Sequence, residues 1–147
     1  EDIQGPGITK KDVILATEKI VPCFEIVDSR IHDWKIKIQD TIADNASCGI
    51  FVLGEGSSSP EKFSMDELEV VVYKNGKFLS SGFGSAVQGH PAEAVAWLAN
   101  TLGEYDIPLL KGEFILSGSL VPLEPAIAGD SFSLELKGVG TCEINFI

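Results

Sequence analysis

The chain has 147 residues and a formal net charge of -11. Such an acidic surface repels phosphate backbones and anionic lipids, so we expect no nucleic acid and no membrane as a partner. Hydrophobic residues make up 44% of the chain, which is the balance of a soluble globular protein, and no apolar run approaches the roughly 18 residues of a membrane span. The length fits a single domain over 1–147.

The three cysteines bear on the compartment. Cys23, Cys48 and Cys142 are far apart, odd in number and unaccompanied by His. This spacing fits neither a zinc site nor a disulfide framework. We therefore expect reduced, mostly buried thiols in a cytoplasmic protein.

The first third of the chain predicts one helix and two strands. A capping signal, Thr9 followed three residues later by Asp12, opens a helix over about 10–19. A strand follows through CFEIVDSR (23–30), and GIFVLG (49–54) predicts a short buried strand. The stretch between them becomes helix-compatible, and the Gly/Ser/Pro-rich GEGSSSPEKFS predicts a loop.

The remaining chain predicts two hairpins and a helix. Asn75-Gly76 stands between two β-rich runs, which is the strongest short hairpin signal, and the last 18 residues predict a second hairpin. GEFILSGSLV predicts a strand running into a turn. In HPAEAVAWLANTLGEY, Pro91 and Gly103 stand where a helix begins and ends. Its expected apolar face comprises Ala94, Val95, Leu98 and Leu102. This order favours an α+β fold with a largely antiparallel or mixed sheet.

The predicted strand FEIVDSRI carries three charges, Glu25, Asp28 and Arg30. A buried carboxylate is unfavourable unless it is paired or holds a cation. One interpretation is edge exposure or a salt bridge from Arg30 to Asp28 or Glu25; the other makes Glu25 an oxygen ligand of a hard divalent ion. Strand alternation places Glu25 and Val27 on one face and the other two charges on the opposite face, so one metal cannot meet all three.

A second cluster of polar residues follows in DTIADNAS, and it comprises Asp40, Asp44, Asn45 and Ser47. These residues are at home in an ordinary helix start and turn. They are also suitable contacts for a substrate carboxylate. Composition alone leaves both interpretations open.

Generic catalytic motifs fit poorly. GFGSAVQG lies on a predicted hairpin strand and not between a strand and a helix, which argues against dinucleotide binding. LSGSLV places Ser117 and Ser119 in a tight turn but lacks the nucleophile-elbow pattern. His32 and His90 are isolated, and we expect surface or helix-capping roles for both.

Three longer segments carry a family resemblance: VPCFEIVDSRIHDWKIKIQDTIADNAS, VVVYKNGKFLSSGFGSAVQGHPAEAVAWLANTL and GEFILSGSLVPLEPAIAGDSF. Together they closely resemble the 2-keto-4-pentenoate hydratase family of the fumarylacetoacetate hydrolase superfamily. The combination of EIVDSR, DNAS, GHP and LSG is more specific than any motif above. The resemblance implies the C-terminal portion of the enzyme, a mixed β-roll with a few flanking helices, and a homo-oligomer that can also bind a sister decarboxylase.

The resemblance also implies site residues. Glu25 matches one of three carboxylate ligands of Mg²⁺ or Mn²⁺. Asp28 and Arg30 also match the family, and they would support the ligand residues without contacting the metal. The family's Glu-x-Glu metal pair and its acid/base Lys correspond to positions before Glu1. Candidate substrate contacts are Asn45 and Ser47 in D-N-A-S, and Ser119 after L-S-G.

The implied activity is a metal-dependent hydratase of aromatic catabolism. It adds water to 2-hydroxypenta-2,4-dienoate-type 2-oxo acids to give 4-hydroxy-2-oxo acids. A 4-oxalocrotonate-type decarboxylase is the alternative, because the same enolate would support loss of CO₂, and a C–C bond hydrolase is more remote. An inactive fragment or partner subunit without the Glu-x-Glu pair is a further alternative.

Overall fold

The computed structural model describes all residues 1–147 and contains three α-helices and six β-strands. The helices are α1 (Lys10–Ala16), α2 (Ile38–Ala43) and α3 (Pro91–Gly103). The strands are β1 (Cys23–Val27), β2 (Cys48–Leu53), β3 (Glu69–Lys74), β4 (Lys77–Phe83), β5 (Ser131–Leu136) and β6 (Gly140–Asn145). All strand pairs within the two sheets are antiparallel, so the expected α+β class is confirmed.

Four strands form the larger sheet, in the order β4-β3-β5-β6. Both predicted hairpins are confirmed. Asn75 and Gly76 adopt φ values of 53° and 73°, the left-handed conformation that a tight two-residue hairpin turn requires. Alternate residues of the sheet are buried in one cluster, which comprises Val70, Val72, Leu134 and Cys142.

The smaller sheet is a ribbon of β1 and β2. Phe24 and Val52 lie opposite each other in this ribbon, and both pack against the buried cluster of the larger sheet. The prediction that β2 is buried was wrong: Ile50 is 62% exposed, and most of the strand is exposed with it. A two-stranded ribbon has little core of its own, so its burial depends on what packs against it.

Helix α1 begins as predicted but ends early. The Thr9–Asp12 capping box is present. The helix stops at Ala16 because Thr17 turns to extended backbone while its hydroxyl donates a hydrogen bond to the Val13 carbonyl. The contact of α1 with α3 buries Val13 in a second small core.

Helix α3 buries a different face from the one predicted. The most buried residues are small, and they are Ala92, Ala96, Ala99 and Gly103. The predicted face is only partly buried. A side chain at Gly103 would collide with the backbone of Gly5, so small residues permit a close approach that apolar spacing alone does not reveal. None of the helices combines the length and apolarity needed to cross a membrane.

Two predicted strands differ from the structure. The strand predicted over 23–30 ends at Val27, because the chain leaves the ribbon there. The segment 112–121, predicted as a strand running into a turn, is irregular and has no strand partner among residues 1–147. It belongs to a longer exposed stretch without regular structure that lines the main cavity.

Candidate functional site

The main cavity has a volume of about 1140 Å³. Its walls come from β1, from buried residues of β3 and β5, and from the continuous segment 109–126. Carboxylate side chains outnumber the two lysines in the lining, Lys19 and Lys111. The cavity is therefore acidic at neutral pH, and an anionic ligand would need a bound cation to be attracted here.

Glu25 lies half-buried on β1 at this cavity. It pairs directly across the ribbon with Phe51, whose ring contacts Phe114 at a centroid distance of 6.0 Å. No Lys, Arg or His forms an ion pair with Glu25, so the suggested Glu25–Arg30 salt bridge is wrong. The structure thus places a carboxylate without a cationic partner at the cavity wall.

The thiols near Glu25 remain neutral. All three cysteines are free, with Cys142 buried and Cys23 and Cys48 partly buried. Burial is the main cause that raises the pKa of Cys48, and the Glu25 carboxylate raises it further. Burial likewise raises the pKa of Cys23, with smaller contributions from Cys142 and Glu25. These groups add no negative charge and no reactive thiolate to the site.

The structure brings no complete set of metal ligands together within this chain. No three His, Cys, Asp or Glu residues converge on one point. One Glu-x-Glu triplet is present in the sequence, at Glu67-Leu68-Glu69. However, Glu69 pairs with Lys137 at 2.7 Å, and both glutamates line a separate small depression. Glu25 is a suitable single oxygen ligand for Mg²⁺, which favours one or two carboxylates and keeps several waters.

Asn45 and Ser47 lie in a strained turn between α2 and β2. Asn45, Ala46 and Ser47 have φ values of 50°, 55° and 58°, a left-handed run without glycine. Such a conformation costs roughly 1–2 kcal/mol per residue, so surrounding contacts must hold it. The Ser47 side chain is almost completely buried, whereas Asn45 is exposed, and neither lines the cavity beside Glu25.

Asp44 organises this turn. Its carboxylate accepts hydrogen bonds from the Ser47 hydroxyl at 3.0 Å, the Ser29 hydroxyl at 3.3 Å and the Arg30 backbone N–H at 3.2 Å. Arg30 Nη1 donates to the other oxygen at 3.1 Å, so Arg30 pairs with Asp44 and the suggested Asp28–Arg30 salt bridge is wrong.

The environment of Asp44 keeps it ionised. Burial alone would raise the pKa of Asp44, but hydrogen bonds from Ser47 and Arg30, together with the Arg30 charge, lower the pKa below its ordinary value. The sequence analysis placed Asp44 among the polar residues of DTIADNAS, as a turn residue or a substrate contact, but did not predict its contacts with Ser29 and Arg30. A pair 14 residues apart across an irregular connection leaves no periodic signal to find it.

Ser119 lies in the exposed segment that lines the cavity. Its hydroxyl donates to the Val121 carbonyl at 2.6 Å and stays within its own turn. Glu25 and Ser119 thus line the same cavity, while Asn45 and Ser47 lie outside it. His90 caps α3 as expected, and His32 is exposed.

The family follows from comparison with known proteins. The sequence matches the family model described as fumarylacetoacetate (FAA) hydrolase C-terminal over residues 8–147. The chain belongs to this family. The FAA hydrolase match spans nearly every element described above, including the ribbon with Glu25 and the segment with Ser119.

Two hydratases are close to this chain in sequence. The chain is 62% identical over 146 residues to a 2-hydroxyhexa-2,4-dienoate hydratase of Comamonas testosteroni, covering 99% of this chain and 55% of the relative. It is 58% identical over 107 residues to a 2-hydroxypent-2,4-dienoate hydratase of Pseudomonas putida, covering 73% and 48%. The chain thus spans about half the length of these curated relatives.

One solved structure shares the fold almost completely. It is a 4-oxalocrotonate decarboxylase from Pseudomonas putida G7, complexed with magnesium and adipate. The TM-score is 0.94 at 36% identity, and the match covers 99% of this chain and 56% of that chain. The relatives therefore include both hydratases and a decarboxylase.

Proposed function

We propose that this chain is the C-terminal part of a divalent-metal-dependent hydratase. The enzyme would add water to a 2-hydroxypenta-2,4-dienoate-type acid and give a 4-hydroxy-2-oxo acid. The observation that carries the proposal is Glu25, a half-buried carboxylate without a cationic partner at an acidic cavity, in a chain 62% identical to a dienoate hydratase. An unpaired carboxylate in such a place is suited to holding a cation.

The proposed cofactor is Mg²⁺ or Mn²⁺. Glu25 would supply one ligand, and the Glu-x-Glu pair implied by the family resemblance would supply two more. The magnesium in the structurally similar decarboxylase supports a divalent ion in this fold. When bound, such an ion would polarise a 2-oxo group and stabilise the enolate that forms beside it.

The residues of this chain would bind and orient the substrate. The apolar side chains of the segment 109–126, among them Phe114 beside the Phe51 ring across from Glu25, would exclude water around the hydrocarbon part of a dienoate. The Ser119 hydroxyl would turn from the Val121 carbonyl to a substrate oxygen at a small energetic cost, because one hydrogen bond replaces another.

The two predicted contacts in the strained turn differ in what they can offer. Asn45 has an exposed side chain that is free to meet a ligand. The Ser47 hydroxyl is already used by Asp44, so Ser47 would act by shaping the turn. Both remain proposals that substitution to Ala, with KM and kcat measured separately, would test.

The fold and assembly around this site are also proposed. We infer one domain over 1–147 with the β-roll of the superfamily, in a cytoplasmic homo-oligomer that can bind a sister decarboxylase. Large apolar side chains exposed on α2 and β2 support association, because such groups are usually covered in an assembly; they are Ile38, Ile42, Ile50 and Phe51.

The second candidate function is decarboxylation of a 4-oxalocrotonate-type acid, favoured by the TM-score of 0.94 to the decarboxylase. Both reactions need an enolate, so the metal site does not separate them. The test supplies the full protein and Mg²⁺ with each substrate, following the dienol absorbance and released CO₂. Loss of the dienol without CO₂ supports the hydratase, and CO₂ from the oxalocrotonate supports the decarboxylase. No turnover of either would show an inactive or partner subunit.

A further inference from the structure

Apart from Phe24 and Val52, which pack against the core of the larger sheet, the ribbon that carries Glu25 has little to specify its register. Every residue of β1 is only partly buried, and most of β2 is exposed. The two strands are joined by residues 28–47, a connection far too long for the turn itself to fix the pairing. A slip of one residue would turn the Glu25 side chain to the opposite face, away from its present neighbours.

A bulge lies next to Glu25 and adds a second irregularity. Ile26 pairs with Ile50, but Val27 pairs with Cys48, so Gly49 is left unpaired. A side chain at Gly49 would come within 3.0 Å of the Ile26 carbonyl oxygen. The direction of Glu25 therefore depends on contacts beyond the bulge that fix this end of the ribbon.

Those contacts converge on the Asp44 cluster, which we define as Ser29, Arg30, Asp44 and Ser47. The Asp44 side chain is only 6% exposed, yet its two oxygens accept four hydrogen bonds from both sides of the connection. Arg30 Nη2 also donates to the Cys48 carbonyl at 2.8 Å, which ties the cluster to the first residue of β2. The Asp44 cluster thus joins the end of β1 to the start of β2.

We propose that Asp44 is a positioning residue, whose carboxylate fixes the β1–β2 register and so directs Glu25 into the cavity. This inference rests on the proposed function, because it assigns Asp44 a role in the metal affinity of Glu25. Asp44 touches neither metal nor substrate. It acts through the left-handed turn that follows it and through the segment around Arg30, which its carboxylate holds together.

The variant Asp44→Asn tests this role with little change of shape. In the wild type, Ser29, Arg30 and Ser47 donate hydrogen bonds to the Asp44 carboxylate. The Asn amide would turn N–H groups towards one or more of these donors, so those hydrogen bonds would be lost. The matched control is Asp33→Asn, which removes the same charge from the same connection but breaks only exposed ion pairs with His32 and Lys35.

The measurement is calorimetric titration of the full-length protein with MgCl₂, alongside circular dichroism to establish folding. We expect Asp44→Asn to weaken Mg²⁺ binding about 10- to 100-fold, as for other residues that orient a metal ligand, and Asp33→Asn to change it by less than about twofold. A purely structural role would lower the melting temperature and leave the affinity of the folded protein unchanged. That result would overturn the inference and leave the proposed function standing.

Two further outcomes complete the test. A wild-type protein that binds no Mg²⁺ overturns the proposed function and this inference together. Should Asp44→Asn fail to fold, Arg30→Lys keeps the positive charge but loses the forked contacts to Asp44 and Cys48. We then expect about a tenfold weaker Mg²⁺ affinity for folded Arg30→Lys, and wild-type affinity would overturn the inference.

Discussion

The two β-sheets of this protein are built in opposite ways. In the larger sheet, a tight turn at Asn75-Gly76 and a compact β5–β6 hairpin join neighbouring strands, and one face is filled with buried apolar side chains. In the ribbon, the long connection 28–47 joins the two strands, and a bulge interrupts their pairing. The sheet is held by its core, whereas the ribbon meets that core through Phe24 and Val52 and is fixed at its other end by polar contacts around Asp44.

This difference in construction predicts different roles for the two regions. The larger sheet also contains one register shift, at Val72/Tyr73, but the close-packed apolar side chains on its buried face tolerate little change. The ribbon and its connection contain the unpaired Glu25 and five of the eight left-handed non-glycine residues, at 33–34 and 45–47. Strained backbone of this kind concentrates at functional sites. Stability should therefore reside in the sheet, and ligand binding in the ribbon.

The largest expected effect on stability is in the sheet. Leu134→Ala empties a position in the buried cluster and should lower the free energy of unfolding by about 2–5 kcal/mol. Ile50→Ala on the ribbon, where the side chain is exposed, should cost less than about 1 kcal/mol. Urea unfolding of the two variants makes the comparison, and equal losses would contradict the division between sheet and ribbon.

A substitution at the Gly49 bulge should affect Mg²⁺ affinity more than stability, which is the reverse of a substitution in the core of the sheet. In Gly49→Ala, the new methyl group crowds the Ile26 carbonyl and Asp28, so the ribbon must shift beside Glu25. We expect Mg²⁺ affinity to fall about tenfold while the melting temperature changes little, because few core contacts depend on β2. Ile50→Ala again serves as the control. Unchanged affinity in the Gly49 variant would show that the bulge does not set the site.

Helix α3 adds a pH dependence to the scaffold between pH 8 and pH 5, above the acid range in which Asp44 of the ribbon's connection titrates. His90 Nδ1 accepts a hydrogen bond from the Ala92 N–H at 3.1 Å, and protonation would remove this acceptor. Burial, then the Lys10 charge, lowers the pKa of His90 below its ordinary value of 6.5, against the smaller opposing effects of Asp66 and Glu93.

Below about pH 6.5 the unfolded chain binds more protons at His90 than the folded chain, so stability falls as the pH decreases. The cap itself should contribute about 0.5–2 kcal/mol at pH 8. Melting curves between pH 8 and pH 5 compare the wild type with His90→Asn, which caps the helix at every pH. Parallel pH profiles for the two proteins would rule out His90 as the titrating group.

The smallest effect is expected at the surface of the scaffold. Lys10 and Glu93 form an ion pair at 3.7 Å between half-exposed side chains. Exposed pairs of this kind contribute about 0–1 kcal/mol, so Glu93→Gln should change the melting temperature by little more than the measurement error. A large loss would mean that the contact of α1 with α3 depends on charge and not on its small apolar side chains.

The same contrast explains which features the sequence could predict. Asn75-Gly76, the Thr9–Asp12 cap and Pro91 are local signals, and each element they announced is present. The burial of Ala99 on α3 and the exposure of Ile50 depend on the neighbouring elements, which no local pattern records.

The site was predictable only in part for the same reason. Glu25 carried a signal, because a charge within a β-rich run needs an explanation. The contacts of Arg30 with Asp44 carried none, because alternation ends where β1 ends, at Val27. Ser119 could be placed only by resemblance, since the segment around it has no regular structure.

The central claim is that Glu25 is a ligand of a divalent cation, and the most direct measurement is Mg²⁺ titration of full-length Glu25→Gln. Glu61→Gln, an exposed glutamate outside the cavity, is the matched control. We predict that Glu25→Gln folds like the wild type and loses at least about 100-fold in Mg²⁺ affinity, together with turnover, while Glu61→Gln retains both. Wild-type Mg²⁺ affinity and turnover in folded Glu25→Gln would contradict the account.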